Sequence, residues 1–208
     1  MSPRGDKLNE HMRAEAMTKI TGAALKVFAE YGYHGATMGQ IMKASKLSKG
    51  LFYHYFPSKE RLFFHLVDTA LGISGRIWSA SLDAPGTAWE KIERLSDSLV
   101  KNAFSEESSL YSLIMVQALT QGKGIPGLFK RIMQHLSVFG ALTTVIIQAQ
   151  KDGDAAQGDP EVLASTYLAL FQGYALVLIN DDELKRKITP DVFTGVLRNT
   201  GKTRRSGK

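Results

Sequence analysis

The chain has 208 residues, of which 44% are hydrophobic and 22% charged, an ordinary composition for a globular protein with a substantial core. It contains no cysteine, which excludes disulfides, thiolate metal sites and cysteine nucleophiles and fits a reducing cytoplasm. The net charge is +6, and its excess lies at the two ends: residues 1–70 hold 10 Lys and Arg against 6 Asp and Glu, and residues 201–208 hold 4 against none. This asymmetry indicates a polyanionic partner, although a basic, well-solvated surface has the same balance.

Apolar residues recur at helical spacing along most of the chain, and no stretch alternates for long enough to indicate a strand. The sequence therefore predicts an all-α protein. Residues 1–12 are predicted to form a flexible N-terminal arm. The first amphipathic helix ends at Gly32 and carries a stripe formed by Met17, Ile20, Ala24, Phe28 and Tyr31.

Two short helices follow, and each begins at a recognisable cap. Thr37 and Gln40 form a capping box, in which hydroxyl and amide satisfy each other's free N–H groups, and predict a helix over about 38–44. Ser48 is a natural N-cap for the next helix, which Pro57 ends. A long fourth helix follows directly, so the sequence predicts a compact helical module.

The stretch SLDAPGT at 81–87 interrupts the helical pattern. Beyond it the spacing predicts helices at about 88–104, 108–120, 127–151, 160–179 and 189–199. Two of these starts have an N-cap followed by a first-turn proline, Asp159 with Pro160 and Thr189 with Pro190. Residues 201–208 are polar and basic, have nothing apolar to bury, and are predicted to be disordered.

The run SKGLFYHYFPSK at 48–59 carries the functional prediction. Two short capped helices joined by a tight turn are typical of a helix-turn-helix. In the second of them Lys49 and Tyr53 share one stripe, Gly50 and His54 form the neighbouring stripe, and Phe52 lies opposite. A glycine inside a helix costs about 1 kcal/mol relative to alanine. The pattern therefore predicts a helix whose back packs on a core and whose bare first turn approaches DNA in the major groove.

The run from Ile20 through AALKVFAEYGYHGATMGQIMKASKLSKGLFYHYFPSKERLF to Leu66 resembles the N-terminal DNA-binding domain of TetR-family transcriptional regulators. The length and helix pattern that follow are similar to that family's ligand-binding and dimerisation domain. The resemblance implies an all-α homodimer that binds double-stranded, pseudo-palindromic operator DNA and is released by a small molecule, acting most often as a repressor. It divides the chain into a DNA-binding domain at 13–60 and a ligand-binding and dimerisation domain at 61–200.

Carried over residue by residue, the family's phosphate contacts fall on Thr37, Tyr53 and Lys59, with Tyr55 or His54 as further candidates. The start of the recognition helix falls on Ser48, Lys49, Gly50 and Leu51.

Two positions depart from the family's pattern. Lys46 stands in the turn where the family often has glycine, so it must adopt a left-handed conformation at a cost of roughly 1 kcal/mol. Leu51 stands where a small hydroxyl residue is frequent, so a contact there would be apolar, to a thymine methyl group.

The C-terminal domain is rich in aromatic and other large apolar residues, most of which are expected to be core. Those proposed to border an effector cavity are Trp78, Tyr111, Met115, Phe139, Tyr167 and Phe171. Because clustered charge is scarce, the expected effector is hydrophobic or aromatic. The helix at 160–179 has more apolar surface than one protomer's core needs, and Gly173 would admit a partner helix closely. A homodimer through 160–179 and 189–199 is therefore predicted.

No pair of histidines has metal-ligand spacing and no nucleophile motif is present, so no metal, cofactor or enzymatic activity is predicted. GKGIPG at 122–127 satisfies G-x-G-x-x-G but follows no strand, which indicates a loop. With no signal peptide and no apolar run of about 20 residues, the expected location is cytoplasmic. The alternative hypothesis is a helical dimer that binds a small molecule without DNA, and after it an enzyme whose catalytic residues are scattered along the chain.

Overall fold

The computed structural model describes residues 3–103, 105–135 and 137–201. Across these ranges the chain is all-α, as predicted. Its β-structure is limited to an isolated bridge between Ala155 and Arg198. No helix in the described ranges is both long enough and apolar enough to cross a bilayer. The α-helices are α1 Pro3–Gly35, α2 Met38–Ser45, α3 Lys49–Tyr55, α4 Lys59–Leu82, α5 Ala88–Ala103, α6 Glu106–Gln121, α7 Leu128–His135, α8 Ser137–Lys151, α9 Pro160–Val177, α10 Asp182–Lys187 and α11 Pro190–Gly195.

The chain forms two compact units. The first unit comprises residues 1–70 and 113–129, and the second comprises 71–112 and 130–208. The first unit thus includes the segment 113–129 from much later in the chain. The domains predicted from the sequence are consecutive and do not include this arrangement. Within it, the side-chain amide of Gln117 on α6 donates to the carbonyl of Phe28 on α1 at 2.8 Å, and Gln117 is buried.

Helix α1 begins at Pro3, so the part of the predicted flexible arm that the structure describes is helical. Proline suits a first helical turn, and the residues after it include good helix formers. The predicted end at Gly32 coincides with a kink, where the backbone has φ 68° and ψ 172°. Only glycine adopts such a conformation without strain. The Ala36 N–H bonds to the Gly32 carbonyl at 3.0 Å and closes the turn.

The first unit buries apolar residues from α1 to α4, among them Ile20, Phe28, Ile41, Phe52, Phe56, Leu62, Phe63 and Leu66. Aromatic rings join α1 to α4: the Phe63 centroid lies 5.1 Å from that of Phe28 and 4.8 Å from that of Tyr33. Edge-to-face packing of this kind contributes beyond its buried area. The core therefore holds the first and fourth helices together behind α2 and α3.

In the second unit, α5, α8, α9 and α11 pack around one apolar core. The core surrounds one buried polar pair, in which the hydroxyls of Tyr167 and Ser96 lie 2.8 Å apart. The Ser96 hydroxyl donates to the Ile92 carbonyl at 2.9 Å, so Tyr167 is the donor to Ser96. Phe193 on α11 is fully buried against the rings of Tyr167, Phe171 and Tyr174 on α9.

The end of the second unit is tied to the loop after α8 by backbone hydrogen bonds. The Ala156 N–H donates to the Leu197 carbonyl at 2.8 Å, and the Asn199 N–H donates to the Asp154 carbonyl at 3.0 Å. The Asn199 side chain also donates to the Gly153 carbonyl at 3.1 Å. The predicted disordered tail lies outside the described residues except for Gly201.

The later helices follow the sequence prediction with three differences. The helix predicted at 127–151 corresponds to α7 and α8, and residue 136 between them lies outside the described residues. The helix predicted at 189–199 is shorter, Pro190–Gly195. Helix α10 was not predicted, because none of its residues is buried. The Asp181 carboxylate caps it by accepting from the Leu184 N–H at 2.8 Å. Local ion pairs such as Lys187 with Glu183 also support it.

Candidate nucleic-acid interface

The cap of α2 has the predicted geometry. The Thr37 hydroxyl accepts from the Gln40 N–H at 3.3 Å, and the Thr37 N–H donates to Gln40 Oε1 at 2.8 Å, which completes a capping box. The hydroxyl also donates to Gln40 Oε1 at 2.7 Å. Thr37 is exposed, so the cap leaves it at the surface of the first unit.

The turn between α2 and α3 contains the backbone conformation that the sequence predicts. Lys46 is left-handed, with φ 57° and ψ 25°, and its N–H donates to the Lys43 carbonyl at 3.3 Å. Among the described non-glycine residues it alone has a positive φ. The helix-turn-helix therefore adopts a strained residue at its turn in place of the frequent glycine.

The start of α3 is held by Ser48, as predicted. Its hydroxyl accepts from the Leu51 N–H at 3.4 Å, and its carbonyl accepts from the Phe52 N–H at 3.0 Å. The helix ends at Tyr55, just before Phe56 and Pro57. The cap sets the direction in which α3 leaves the turn.

Helix α3 has one buried side and one exposed side. Phe52 is fully buried and Phe56 is 5% exposed. Leu51 and Tyr53 are 40% and 38% exposed, which is high for large apolar or aromatic side chains. Lys49, Gly50 and His54 are also exposed, and Tyr55 is half-buried. The structure thus places the predicted contact residues of α3 on one accessible surface.

Gly50 lies in the first turn of α3 with open space around it. A Cβ atom built there would meet no other atom within 4 Å, and the residue does not have a positive φ. Neither sterics nor backbone conformation inside the protein requires glycine at this position. Gly22, Gly39 and Gly75 have the same open surroundings, so the observation shows only that the first turn of α3 presents a bare backbone at the surface.

Lys59, a predicted phosphate contact, is turned toward the protein. Its ammonium donates to the carbonyls of Ala36 at 2.9 Å and His34 at 3.3 Å. It also lies 4.8 Å from the centroid of the Tyr33 ring. Burial, with a smaller effect from the Glu60 carboxylate, raises the pKa of Tyr33, so this ring stays neutral beside the lysine.

The charge of this segment is one-sided. Residues 37–59 contain four lysines and no aspartate or glutamate. Lys43, Lys46 and Lys49 are exposed on α2, the turn and α3. A surface with basic groups and no acidic ones attracts a polyanion.

The residues proposed to border an effector cavity fall in both units. Trp78 and Tyr167 belong to the core of the second unit, and Tyr111 is also buried there. Phe171 is half-buried in the second unit, whereas Met115 belongs to the first unit. The side chain of Phe139 lies outside the described residues.

The buried partner of Tyr167 was not predicted from the sequence. Ser96 is 0% exposed and lies between Ile92, Leu95 and Leu99 on the apolar side of α5. A small polar residue inside an apolar stripe is a signal that a polar partner is needed. Burial raises the pKa of Tyr167 far above its usual range, and the hydrogen bond to Ser96 opposes this only in part. The phenol is therefore a neutral structural donor.

A capped short helix, a tight turn and a second capped helix with a bare, basic and aromatic surface define a helix-turn-helix DNA-binding protein. Across the described ranges no group of three His, Cys, Asp or Glu side chains is placed to hold a metal ion. The chain matches the family model for bacterial regulatory proteins of the tetR family over residues 20–66. Over these residues the chain thus carries the DNA-binding domain of TetR-family transcriptional regulators.

Individual relatives agree with this assignment. The transcriptional regulator RutR of Escherichia coli strain K12 is 29% identical over 163 residues, which cover 75% of this chain and 72% of RutR. The uncharacterised regulator YuxN of Bacillus subtilis is 47% identical over 49 residues, covering 24% of this chain but only 17% of YuxN. The crystal structure of AibR in complex with isovaleryl coenzyme A and operator DNA matches with a TM-score of 0.68 and 17% identity over 87% of this chain and 95% of AibR. This last likeness is one of fold.

Proposed function

We propose that the protein is a homodimeric transcriptional regulator that binds a pseudo-palindromic operator through α3 and leaves it when a small effector binds. The observation that carries this proposal is the surface of α3, where Lys49, Tyr53 and His54 are exposed around a glycine that nothing in the protein requires. Such a surface fits the major groove, where side chains reach base edges and the first-turn N–H groups face phosphate oxygens.

The proposed contacts divide into two kinds. Thr37 and Tyr53, with Tyr55 or His54 as further candidates, are proposed to contact the DNA backbone, where they would fix the register of the protein on the duplex. Lys49 and Leu51 are proposed to reach base edges, with Ser48 and Gly50 forming the first turn that approaches the duplex closely. Action on chromosomal operators would place the protein in the bacterial cytoplasm.

The effector is proposed to be a small hydrophobic or aromatic molecule. AibR was solved with both an acyl coenzyme A and operator DNA, which supports effector control in a protein of this fold. The apolar and aromatic composition of the second unit supports an apolar ligand group. Effector binding would favour a dimer whose two recognition helices have the wrong spacing, and α4, which contributes to both units, would transmit the change.

The dimer is proposed to form through α9. One stripe of this helix is exposed and uncharged: Val162, Thr166, Ala169, Gly173 and Val177. Val162 and Val177 are 60% and 63% exposed, which leaves apolar surface for a partner. The segment 189–199 offers less than the sequence suggested, because Phe193 and Leu197 are fully buried in their own protomer. Two recognition helices related by the dimer axis would then lie about 34 Å apart, one DNA turn.

Binding to the DNA upstream of the protein's own gene tests the function directly. Affinity would be measured at two salt concentrations against scrambled competitor, because several phosphate contacts make affinity fall steeply with ionic strength. Lys49→Ala and Tyr53→Ala should each weaken specific binding by about 1 to 3 kcal/mol without unfolding the protein. Equal affinity of wild type and both variants would refute the role of this surface.

The competing function is a small-molecule-binding helical dimer that makes no use of DNA. It predicts only weak binding with no preference for sequence at either salt concentration. A genome-wide binding experiment separates this function from an operator located elsewhere.

A further inference from the structure

Lys46, in the turn between α2 and α3, has a left-handed backbone with φ 57° and ψ 25°. It is alone in this among the described non-glycine residues. A side chain makes this conformation unfavourable, whereas glycine adopts it freely. The hydrogen bond of the turn, from the Lys46 N–H to the Lys43 carbonyl at 3.3 Å, uses only backbone atoms and would form equally with glycine. The turn itself therefore gives no reason for a lysine at this position.

The charge of Lys46 has no partner among the described residues. The side chain is exposed, and its ammonium makes no hydrogen bond or ion pair with them. Lys19, by contrast, pairs with Glu15 one helical turn away at 2.7 Å. Lys46 has no such neighbour in its own segment, because residues 37–59 contain no aspartate or glutamate. Its positive charge is therefore available to a partner outside the chain.

Lys46 is close in the chain to the helix that is proposed to enter the major groove. It precedes Lys49, the first residue of α3, by three positions. Successive Cα atoms are 3.8 Å apart, so the Cα atoms of these two lysines lie within about 11 Å of each other. The major groove is about 12 Å wide, and phosphates line both of its edges. With the first turn of α3 in the groove, Lys46 would lie near an edge, where its flexible stem and three N–H donors can reach a phosphate.

We propose that Lys46 binds an operator phosphate and that this contact offsets the strain of its backbone. The inference rests on the proposed function, because it needs α3 in the major groove. It adds a contact that the resemblance does not imply, since the family often has glycine at this position and glycine has no side chain to offer. Residues held in unfavourable conformations are frequent at binding surfaces, where the strain is balanced by function.

The salt dependence of binding to the operator, first sought in the DNA upstream of the protein's own gene, tests the contact. Lys46→Asn removes the charge and keeps a residue that tolerates the left-handed conformation. Each phosphate contact contributes about 0.9 to the slope of log affinity against log salt. Between about 50 and 200 mM salt, the affinity of Lys46→Asn should therefore fall about 3.5-fold less than that of wild type. Lys46→Arg keeps the charge and should keep the wild-type slope.

Two further variants separate charge from conformation. Lys46→Gly removes both the charge and the strain, so we expect the same shallow slope together with a higher urea midpoint for the protein without DNA. Lys101→Asn on α5 is the matched control, since Lys101 is also exposed and has no ion-pair partner among the described residues. Its slope should equal that of wild type.

A wild-type slope for both Lys46→Asn and Lys46→Gly would overturn the inference. A weaker affinity with an unchanged slope would overturn it too, because Lys46 would then act only through the shape of the turn. Either result leaves the proposed function intact. An unchanged or lower urea midpoint for Lys46→Gly would refute the strain that the contact is proposed to offset. If wild type binds no DNA site specifically, the proposed function fails and this inference fails with it.

Discussion

Gly50 is a residue whose surroundings within the protein do not explain it. An alanine would meet no atom within 4 Å and would favour the helix over the unfolded chain. A protein selected for stability alone would have the larger side chain. Under the proposed function the cost of this glycine is balanced by a gain in binding, and the two effects can be separated by one substitution.

Gly50→Ala should act in opposite directions on stability and on binding. We expect the free protein to become more stable by about 0.5 to 1 kcal/mol, since alanine is the better helix former. Operator affinity should fall, because a methyl group would hold the helix away from the duplex. Urea unfolding and operator titration measure the two effects. Gly22→Ala on α1, where a Cβ also meets nothing within 4 Å, is the matched control and should leave operator affinity unchanged. Unchanged affinity for Gly50→Ala would remove the argument for close approach.

Leu51 next to it is an apolar side chain, 40% exposed, on a helix that otherwise presents polar groups. Among base edges in the major groove, the methyl group of thymine is the apolar one. We therefore expect one thymine of each half-site to contact Leu51.

Replacing thymines one at a time by deoxyuridine removes only the methyl group. One position per half-site should lose affinity by about 1 kcal/mol for the wild-type protein, and Leu51→Ala should be insensitive at that same position. Uniform sensitivity along the operator, or an equal loss for both proteins, would rule out this contact.

At the scale of single residues, local chemistry was predictable and distant contacts were not. Thr37, Ser48 and Lys46 act on neighbours within a few positions, so their caps and the left-handed turn could be read from the sequence. The contacts of Lys59 with the His34 and Ala36 carbonyls, more than twenty positions earlier in the chain, could not be read from the sequence. Such contacts depend on how helices pack, which spacing alone does not specify.

For helices with an apolar stripe and a cap, the predicted ends agree with the observed ends to within a few residues. Helix α10 was not predicted. Its residues are held by Asp181 and local charge pairs and none of them is buried. Hydrophobic periodicity cannot detect a helix without a buried side.

Helices α5 and α9 are joined by the hydroxyl pair of Ser96 and Tyr167 at 2.8 Å. Removing either partner should have unequal effects. Tyr167→Phe leaves Ser96 bonded to the Ile92 carbonyl and should cost about 1 kcal/mol.

Ser96→Ala leaves a buried phenol without its acceptor and should cost more, about 1 to 3 kcal/mol. Denaturant unfolding of the two single variants and the double variant measures these values and their coupling. Equal losses, or additive losses, would show that the pair is not the contact that joins these helices.

For the whole molecule, the sequence indicated an all-α regulator but placed its parts in chain order. The first unit instead includes residues 113–129, with Gln117 bonded to Phe28 at 2.8 Å. A glutamine between the apolar residues Val116 and Ala118 does not reveal which carbonyl it meets. Which residues border an effector cavity stays a prediction, since aromatic residues at helical spacing serve equally as core, as Trp78 and Tyr167 do.

The oligomeric state is a property of the whole molecule and is tested at the α9 stripe. Ala169→Glu would place a charge in the proposed interface, where it would lose its hydration. We expect wild type to elute as a dimer at micromolar concentration and this variant as a monomer with weaker operator binding.

Ser79→Glu adds the same charge at an exposed position on α4 and should remain dimeric. A monomeric wild type, or a dimeric Ala169→Glu, would exclude this interface.

Hydrogen bonds hold Leu197 and Asn199 against residues 153–156. They determine where the chain can be shortened or labelled. A chain cut before Leu197 would lose a buried side chain and its carbonyl partner, so shortened versions should end after Asn199. Gly201 is exposed just beyond this tie. Because the chain has no cysteine, Gly201→Cys would provide a single thiol for a fluorescent dye. The dye would be anchored next to a fixed backbone, so its anisotropy would report DNA association and effector release in real time.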